Sequence, residues 1–275
     1  MYVELHARSA FSFLEGASIP EELATVCAQL KMPAMALLDE DGVYGAPRFH
    51  LAAKKIGIKA HIGAEVTCDP LHPVILSGEN ASRSEAPSES KACPEPVEGD
   101  PYSRQDAKET GVPRNARNDK LFRISLLVSS RAGYQNLCRL ITKMKLRAKK
   151  GEGSVRAEEL EEHAHGLICL TGGAQGPLTA ALKQGDIEEA QRQVEQLVGI
   201  FGHANVYVEL QRNFQREEES RNRAAVTIAR SLNLPSLVAP QLRSAALALR
   251  LPNCFTSALW TSSISMESSQ ATTPS

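Results

Sequence analysis

The sequence predicts an α/β fold, and three observations carry that prediction. Short apolar runs at residues 2–5, 34–38 and 58–62 alternate with stretches whose apolar residues recur at helical spacing. Proline and glycine punctuate the joints between them, as at Met32-Pro33, Gly42, Gly45 and Gly57. Each apolar run also hands a histidine or a carboxylate to the following turn, in Val3-Glu4-Leu5-His6-Ala7-Arg8-Ser9, Ala36-Leu37-Leu38-Asp39-Glu40-Asp41-Gly42 and Ile62-Gly63-Ala64-Glu65-Val66-Thr67. Loops at strand ends are where parallel α/β folds build their sites.

Taken in order, residues 2–5 form a first buried strand. Ser18 caps a helix that carries Glu21 and Glu22 in its first turn and Leu23, Val26, Cys27 and Leu30 on one face. Residues 34–38 are the second strand, residues 39–42 a tight turn, and residues 46–55 a helix closed by Gly57. The third strand spans residues 58–62, and Gly63 lets the backbone turn so that Glu65 faces the same end of the sheet. The first third of the chain thus reads βαβαβ.

Residues 77–120 change character to Ser, Glu, Pro, Arg, Asn and Asp with few apolar residues, a composition that predicts a disordered insertion. Residues 122–128 resume as a strand. A helix over 133–150 follows, with Tyr134, Leu137, Leu140, Ile141 and Met144 on one side and Arg139, Lys143, Lys145, Arg147, Lys149 and Lys150 as its cations. Those cations can meet phosphates, although a charge run on a helix is more often a solvated face. Next come a charged helix at 155–165, a strand at 167–170 and the glycine-rich turn Thr171-Gly172-Gly173-Ala174-Gln175-Gly176-Pro177. That turn lacks the Lys followed by Ser or Thr of a phosphate-binding loop. A helix at 186–201, a strand at 206–210, a helix at 217–232 and a strand beginning at 237 complete the regular pattern. Residues 240–275 are rich in Ser, Thr and Ala without strand and helix alternation, and read as a degenerate tail.

The 275 residues, 42% of them hydrophobic, suffice for a substantial core. A net charge of −1 excludes a globally basic nucleic-acid binder. The six cysteines have no C-x-x-C spacing, which argues against a zinc ribbon or a disulfide framework and for separate reduced thiols. No uninterrupted apolar run is long enough to span a bilayer and no leader-like segment opens the chain, so the expected location is the cytoplasm. His50, His61, His72, His163 and His165 read as surface or satisfied histidines, and Cys169 as core.

The stretches Tyr2-Val3-Glu4-Leu5-His6, Phe11-Ser12-Phe13-Leu14-Glu15-Gly16-Ala17-Ser18, Val43-Tyr44-Gly45-Ala46-Pro47-Arg48-Phe49, Gly63-Ala64-Glu65-Val66-Thr67, Gly166-Leu167-Ile168-Cys169-Leu170-Thr171-Gly172-Gly173 and Tyr207-Val208-Glu209-Leu210-Gln211-Arg212 resemble the N-terminal polymerase-and-histidinol-phosphatase (PHP) domain of bacterial DNA polymerase III alpha subunits, closest to the error-prone branch. The resemblance covers residues 2–239 apart from the insertion. It implies a distorted (β/α)7 barrel, formed by residues 1–76 and 121–239 and incomplete at its C-terminus. In the family the C-terminal strand ends hold up to three divalent metals, and metal-bound hydroxide hydrolyses phosphoesters.

Carried over residue by residue, the resemblance implies a metal set of His6, Glu15, Asp39, Glu40 and Glu65, with zinc or manganese as the ion. His6 matches the first histidine of a His-x-His pair whose second is Arg8 here. Glu15 stands where many members have an aspartate, and Glu65 matches a metal-bridging glutamate. Asp39 matches the aspartate of Thr-Asp-His, with Leu38 and Glu40 in place of its threonine and histidine. Asn213 stands where histidine is frequent in this branch. A fixed cation at Arg8 opposes dication binding. Two arrangements follow: the five residues hold one ion, or Arg8 replaces the metal's charge by pairing with Glu40 or Glu65.

The functional expectation is an isolated, inactive PHP module without the polymerase core; the alternative is a metal-dependent phosphoesterase or 3'-5' exonuclease with a reduced site. The expected partners are a polymerase core or other replication proteins, with DNA a weaker expectation through the basic helix. A barrel lacking its last strands leaves an unpaired edge, which predicts low solubility or oligomerisation.

Overall fold

The structure, a computed structural model, describes residues 3–71, 121–149, 151, 153–211 and 216–238. The insertion, the tail, His72 and Asn213 lie outside the described residues. One curled sheet of seven strands runs in chain order: β1 (Glu4–Ala7), β2 (Ala34–Glu40), β3 (Lys59–Cys68), β4 (Phe122–Val128), β5 (Leu167–Leu170), β6 (Val206–Leu210) and β7 (Ser236–Val238). The described helices are α1 (Pro20–Gln29), α2 (Ala46–Ile56), α3 (Arg131–Arg147), α4 (Ala157–His163), α5 (Pro177–Lys183), α6 (Ile187–Phe201) and α7 (Arg216–Ser231). Strands β1–β3 and β5–β7 pair in parallel, while β4 is antiparallel to both of its neighbours. The α/β fold that the sequence predicts as a distorted (β/α)7 barrel is present as a curled seven-stranded half-barrel sheet, with β4 reversed.

Helix signals explain most of the boundaries. Ser130 caps α3 by accepting from the Gly133 amide at 3.1 Å, and Asp186 caps α6 by accepting from Glu189 at 2.8 Å. Gly57 ends α2 at φ 85°, a conformation that costs glycine little. The expected Ser18 cap is corrected: α1 starts on Pro20, the N-cap is Ile19, and Ser18 is buried, its carbonyl accepting from Ala10 at 2.8 Å. Proline at the first helical position replaces the cap, because its missing N–H is one that helix ends leave unpaired.

Gly63 is a second correction. β3 runs unbroken through it in register with β2 and β4, from Leu37↔Ile62 to Glu40↔Glu65. Glycine is required there because a Cβ would sit 2.3 Å from the carbonyl oxygen of Leu126 on β4. Helix α5, hidden behind the glycine-rich turn, was not anticipated; seven residues are too few for a periodic signal.

Side-chain alternation splits the sheet into two faces. On the outer face Met35 and Leu37 pack with Leu23, Cys27 and Phe49 of α1 and α2, while Ala64, Val66, Ile124, Leu126, Val206 and Val208 pack with α3 to α7. The inner face has an apolar layer of Ala36, Leu38, Leu127 and Leu170, flanked by Leu5, Ile168, Tyr207 and Leu237. One period further along the same strands the inner residues become Glu40 after Leu38, Glu65 after Gly63, and Glu209 after Tyr207. The fold therefore sets a polar layer on an apolar one.

Gly133 joins α3 to the loop before β5: a Cβ there would lie 1.8 Å from the Gly166 carbonyl oxygen. Gly133→Ala forces two backbones apart, and we expect it to cost about 1–3 kcal/mol in urea unfolding, as overpacking does, with the slope of the transition unchanged.

Candidate functional site

The inner polar layer gathers three cations and their carboxylates, all delivered by strands or by the loops at strand ends. β1 supplies His6, and Arg8 follows directly after it; the register of β1 on β2 slips between Glu4 and Ala7. His6 is fully buried, and its Nδ1 lies 2.7 Å from Glu209 Oε1 on β6 while its Nε2 stands 3.7 Å from Glu65 Oε1 on β3. The Arg8 guanidinium forks, one nitrogen donating to Glu15 Oε2 at 2.8 Å and the other to Glu65 Oε2. Arg123 on β4 donates to Glu40 at the end of β2.

Asp39 stands apart from this chain of charges. Its carboxylate accepts from the Ser9 amide at 3.0 Å, the Ser9 hydroxyl at 2.7 Å, the Ser12 hydroxyl at 3.0 Å and the Gly45 amide at 2.9 Å. Those four bonds fix the loops after β1 and β2 to each other, and the Glu40 amide adds a fifth by donating to Ser12 Oγ at 3.0 Å. Asp41 ties the second loop to β3 through the amide and hydroxyl of Thr67, at 2.7 and 3.0 Å.

Protonation follows from these contacts. Burial by itself would lower the His6 pKa, but the Glu209 charge and hydrogen bond, joined by Glu65, push it up to about 10, so the ring is an imidazolium. Burial works against ionisation of Glu65 too, yet His6 first and then Arg8 and Arg123 hold it down to about 2. Burial raises the Glu40 carboxyl in spite of the Arg123 charge, and raises Asp41 in spite of Thr67. The Cys68 and Cys169 thiols are pushed up by burial and remain protonated, which makes them core residues rather than nucleophiles.

Of the five residues expected to hold a metal, the structure brings Glu15 and Glu65 together on the Arg8 guanidinium, and His6 stands beside Glu65 at 3.7 Å while bonding to Glu209. Asp39 is saturated by four protein donors and Glu40 is taken by Arg123. Of the two pairings expected for Arg8, Glu65 is present, and Glu15 takes the place of Glu40. Among the described residues no three His, Cys, Asp or Glu side chains converge as ligands. This donor set does not fit a divalent cation, because the Arg8 and Arg123 guanidiniums already hold Glu15, Glu65 and Glu40, and Asp39 accepts from hydroxyls and amides.

Arg123 and Glu209 were not anticipated. Both had a signal, a charge inside an apolar strand run, in Phe122-Arg123-Ile124 and in Val206-Tyr207-Val208-Glu209-Leu210.

The sequence profile of the PHP domain family matches residues 4–213. The chain belongs to the PHP domain family. It is 34% identical over 232 residues, 83% of this chain, to an error-prone DNA polymerase of Mycolicibacterium paratuberculosis, and 28% identical over 237 residues to a DNA polymerase III subunit alpha of Treponema pallidum. The match spans 17% of the length of each of those relatives. Among solved structures, an amidohydrolase from Chromobacterium violaceum covers 89% of the chain, over 88% of its own, at 12% identity and a TM-score of 0.49. No described helix of this PHP domain is long and apolar enough to cross a membrane.

The His6 and Glu65 pKa values set the pH dependence of stability. A histidine raised from 6.5 to about 10 contributes fully below 6.5 and loses its contribution as pH climbs through about 10. A glutamate lowered from 4.5 to about 2 contributes above 4.5 and loses its contribution as pH falls through about 2. The thermal midpoint should therefore fall on alkaline titration toward pH 10, and His6→Asn should remove that alkaline limb and also weaken the acid one, because His6 is the first group that holds Glu65 down. Differential scanning calorimetry across the pH range checks both.

Proposed function

We propose that this PHP domain is a non-hydrolytic module of an error-prone DNA polymerase system, in which internal cations stand where catalytic members carry metal. The observation that carries the reading is the Arg8 guanidinium lodged between Glu15 and Glu65, 2% exposed. A nucleophilic hydroxide at neutral pH needs a Lewis acid to lower its pKa, and fixed guanidinium and imidazolium groups supply charge without open coordination positions. The residues do other work. Arg8 joins β1 to β3, Arg123 joins β4 to β2, and His6 joins β1 to β6. The layer thereby holds the mouth of the half-barrel together as a scaffold.

Polymerase chemistry comes to this chain only by its likeness to an error-prone DNA polymerase and a DNA polymerase III subunit alpha, and a polymerase core or other replication proteins are the partners proposed with it. In this reading the domain serves as a rigid platform for a polymerase body that handles DNA.

The test is metal content by inductively coupled plasma mass spectrometry on protein purified without chelator, beside an Arg8→His/Glu40→His variant, with both assayed on a phosphodiester substrate. The wild type should carry no stoichiometric zinc or manganese and give background hydrolysis. Metal at one equivalent or more with chelator-sensitive hydrolysis in the wild type would overturn the reading. A scaffold role also has a stability signature. Arg8→Met takes from the buried Glu65 its hydrogen-bonded guanidinium, leaving it the His6 ring at 3.7 Å, and should cost about 3–5 kcal/mol, whereas Arg8→Met/Glu65→Met should recover a large part of that. Urea titration of the two variants measures the difference.

A further inference from the structure

The six cations expected on the helix over 133–150 do not share one fate. Lys143 donates to Glu162 at 2.7 Å, and Arg147 is held by Glu159 and by the Ser154 carbonyl oxygen, so both are spent on α4 and the segment before it. Lys150 lies outside the described residues. Arg139, Lys145 and Lys149 are exposed and make no ion pair among the described residues, and Arg131, not one of the six, joins them. Lys145 contributes charge to the surroundings of Asp41, whose oxygens are already bonded to Thr67.

These positions form a stripe. Leu137, Leu140, Ile141 and Met144 bury one side of α3, and Lys143 and Arg147 take the side toward α4. At 3.6 residues per turn, Arg131, Arg139 and Lys145 fall within about 120° of arc on a third side, over about 21 Å of axis, and Lys149 follows just past the helix end. A solvated helix face ordinarily pairs its bases with acids three or four positions away, yet α3 has no aspartate or glutamate in its 17 residues. Helix electrostatics do not account for the stripe either: the macrodipole favours Lys145 in the last turn but opposes Arg131 in the first. In a chain of net charge −1, four unneutralised cations along one line make a local positive field that composition conceals.

We infer that this stripe lies along the phosphate backbone of nucleic acid. A length of about 21 Å matches roughly six phosphates of one strand at about 3.4 Å each, so every cation can meet its own. Gln135, exposed between Arg131 and Arg139, is a further phosphate donor. The contacts are to charge, so the stripe holds the backbone without reading base sequence. Leu146, 83% exposed beside Lys145, is the feature that an acidic protein partner would use instead, as an apolar anchor. The inference deepens the reading of the domain as a module of a polymerase system and fails separately from it, since a scaffold for a polymerase body needs no nucleic-acid contact of its own.

Fluorescence anisotropy of a labelled DNA duplex of arbitrary sequence, titrated with the full chain at several salt concentrations, tests it. Binding should be independent of sequence, with log K falling against log salt at a slope of about −3 to −4 for four phosphate contacts. Arg139→Gln and Lys145→Gln should each flatten that slope by about 1 and weaken binding several-fold at low salt. Lys54→Gln/Lys55→Gln, which removes two exposed charges from α2, and Leu146→Gln should leave the slope unchanged and the affinity within about twofold. Every substituted position is exposed, and each variant is checked for an unchanged thermal midpoint. No saturable binding at low salt, or binding weakened as much by the α2 pair as by the Arg139→Gln/Lys145→Gln pair, overturns the inference. Polyglutamate binding as tightly as the duplex at equal charge, or a loss with Leu146→Gln as large as that with Lys145→Gln, overturns it in favour of an acidic protein partner.

Discussion

A buried guanidinium that must be neutralised organises this domain. Arg8 lies almost wholly out of water, and an unpaired charge there would cost several kcal/mol in desolvation. Glu65 from β3 and Glu15 from the loop after β1 neutralise it, and Glu65 in turn stands against the His6 imidazolium. His6 then reaches Glu209, across 203 positions of the sequence. Arg123 and Glu40 extend the alternation of sign to β4 and β2. Each cation thus bridges two strands, so the charges can be satisfied only when β1, β2, β3, β4 and β6 are all in place.

That requirement bears on how the sheet holds its curl. Its strands run in order from β1 to β7, and no pairing between β1 and β7 exists among the described residues. A closed barrel uses a hydrogen-bonded seam to bring its first and last strands together. Here the His6–Glu209 contact spans the interior of the curl and links β1 with the penultimate strand directly. The apolar layer beneath, of Leu5, Leu38, Leu127, Leu170 and Tyr207, gains its burial only if the curl is maintained. Ionic and apolar layers therefore depend on one another: the first sets the curvature, and the second supplies the transfer free energy.

Much of this was legible in the sequence, and the residues show why. His6, Asp39 and Glu65 end apolar runs, where a polar side chain has no bland explanation, and all three are buried. Arg123 and Glu209 carry the same signal but escaped notice, because alternation in a strand gives two faces and does not say which is inner until the neighbouring strands are in register. Gly63 read as a turn because glycine serves turns and close backbone approaches alike; the carbonyl of Leu126 decides for the second. The role of Asp39 was hidden for a different reason. Its partners are hydroxyls and amides of Ser9, Ser12 and Gly45, which no charge pattern announces. Sequence reading is strong on which residues are out of place and weak on which of their many possible partners they meet.

The identity of the cation at position 8 follows from the same geometry. Two carboxylates from different elements must be held by one side chain, at Glu15 and at Glu65, each by a separate nitrogen. A guanidinium presents its donors in a rigid planar fork and stays charged at any accessible pH, so both bonds form without further ordering. A lysine ammonium would place one compact, strongly hydrated charge at the same depth, and burial would depress its pKa toward neutrality. Its three donors sit on one nitrogen, so both carboxylates would have to close on a single point. A divalent metal would draw the same oxygens inward to a common centre, whereas here Glu15 and Glu65 meet separate nitrogens of the fork, the arrangement that suits arginine.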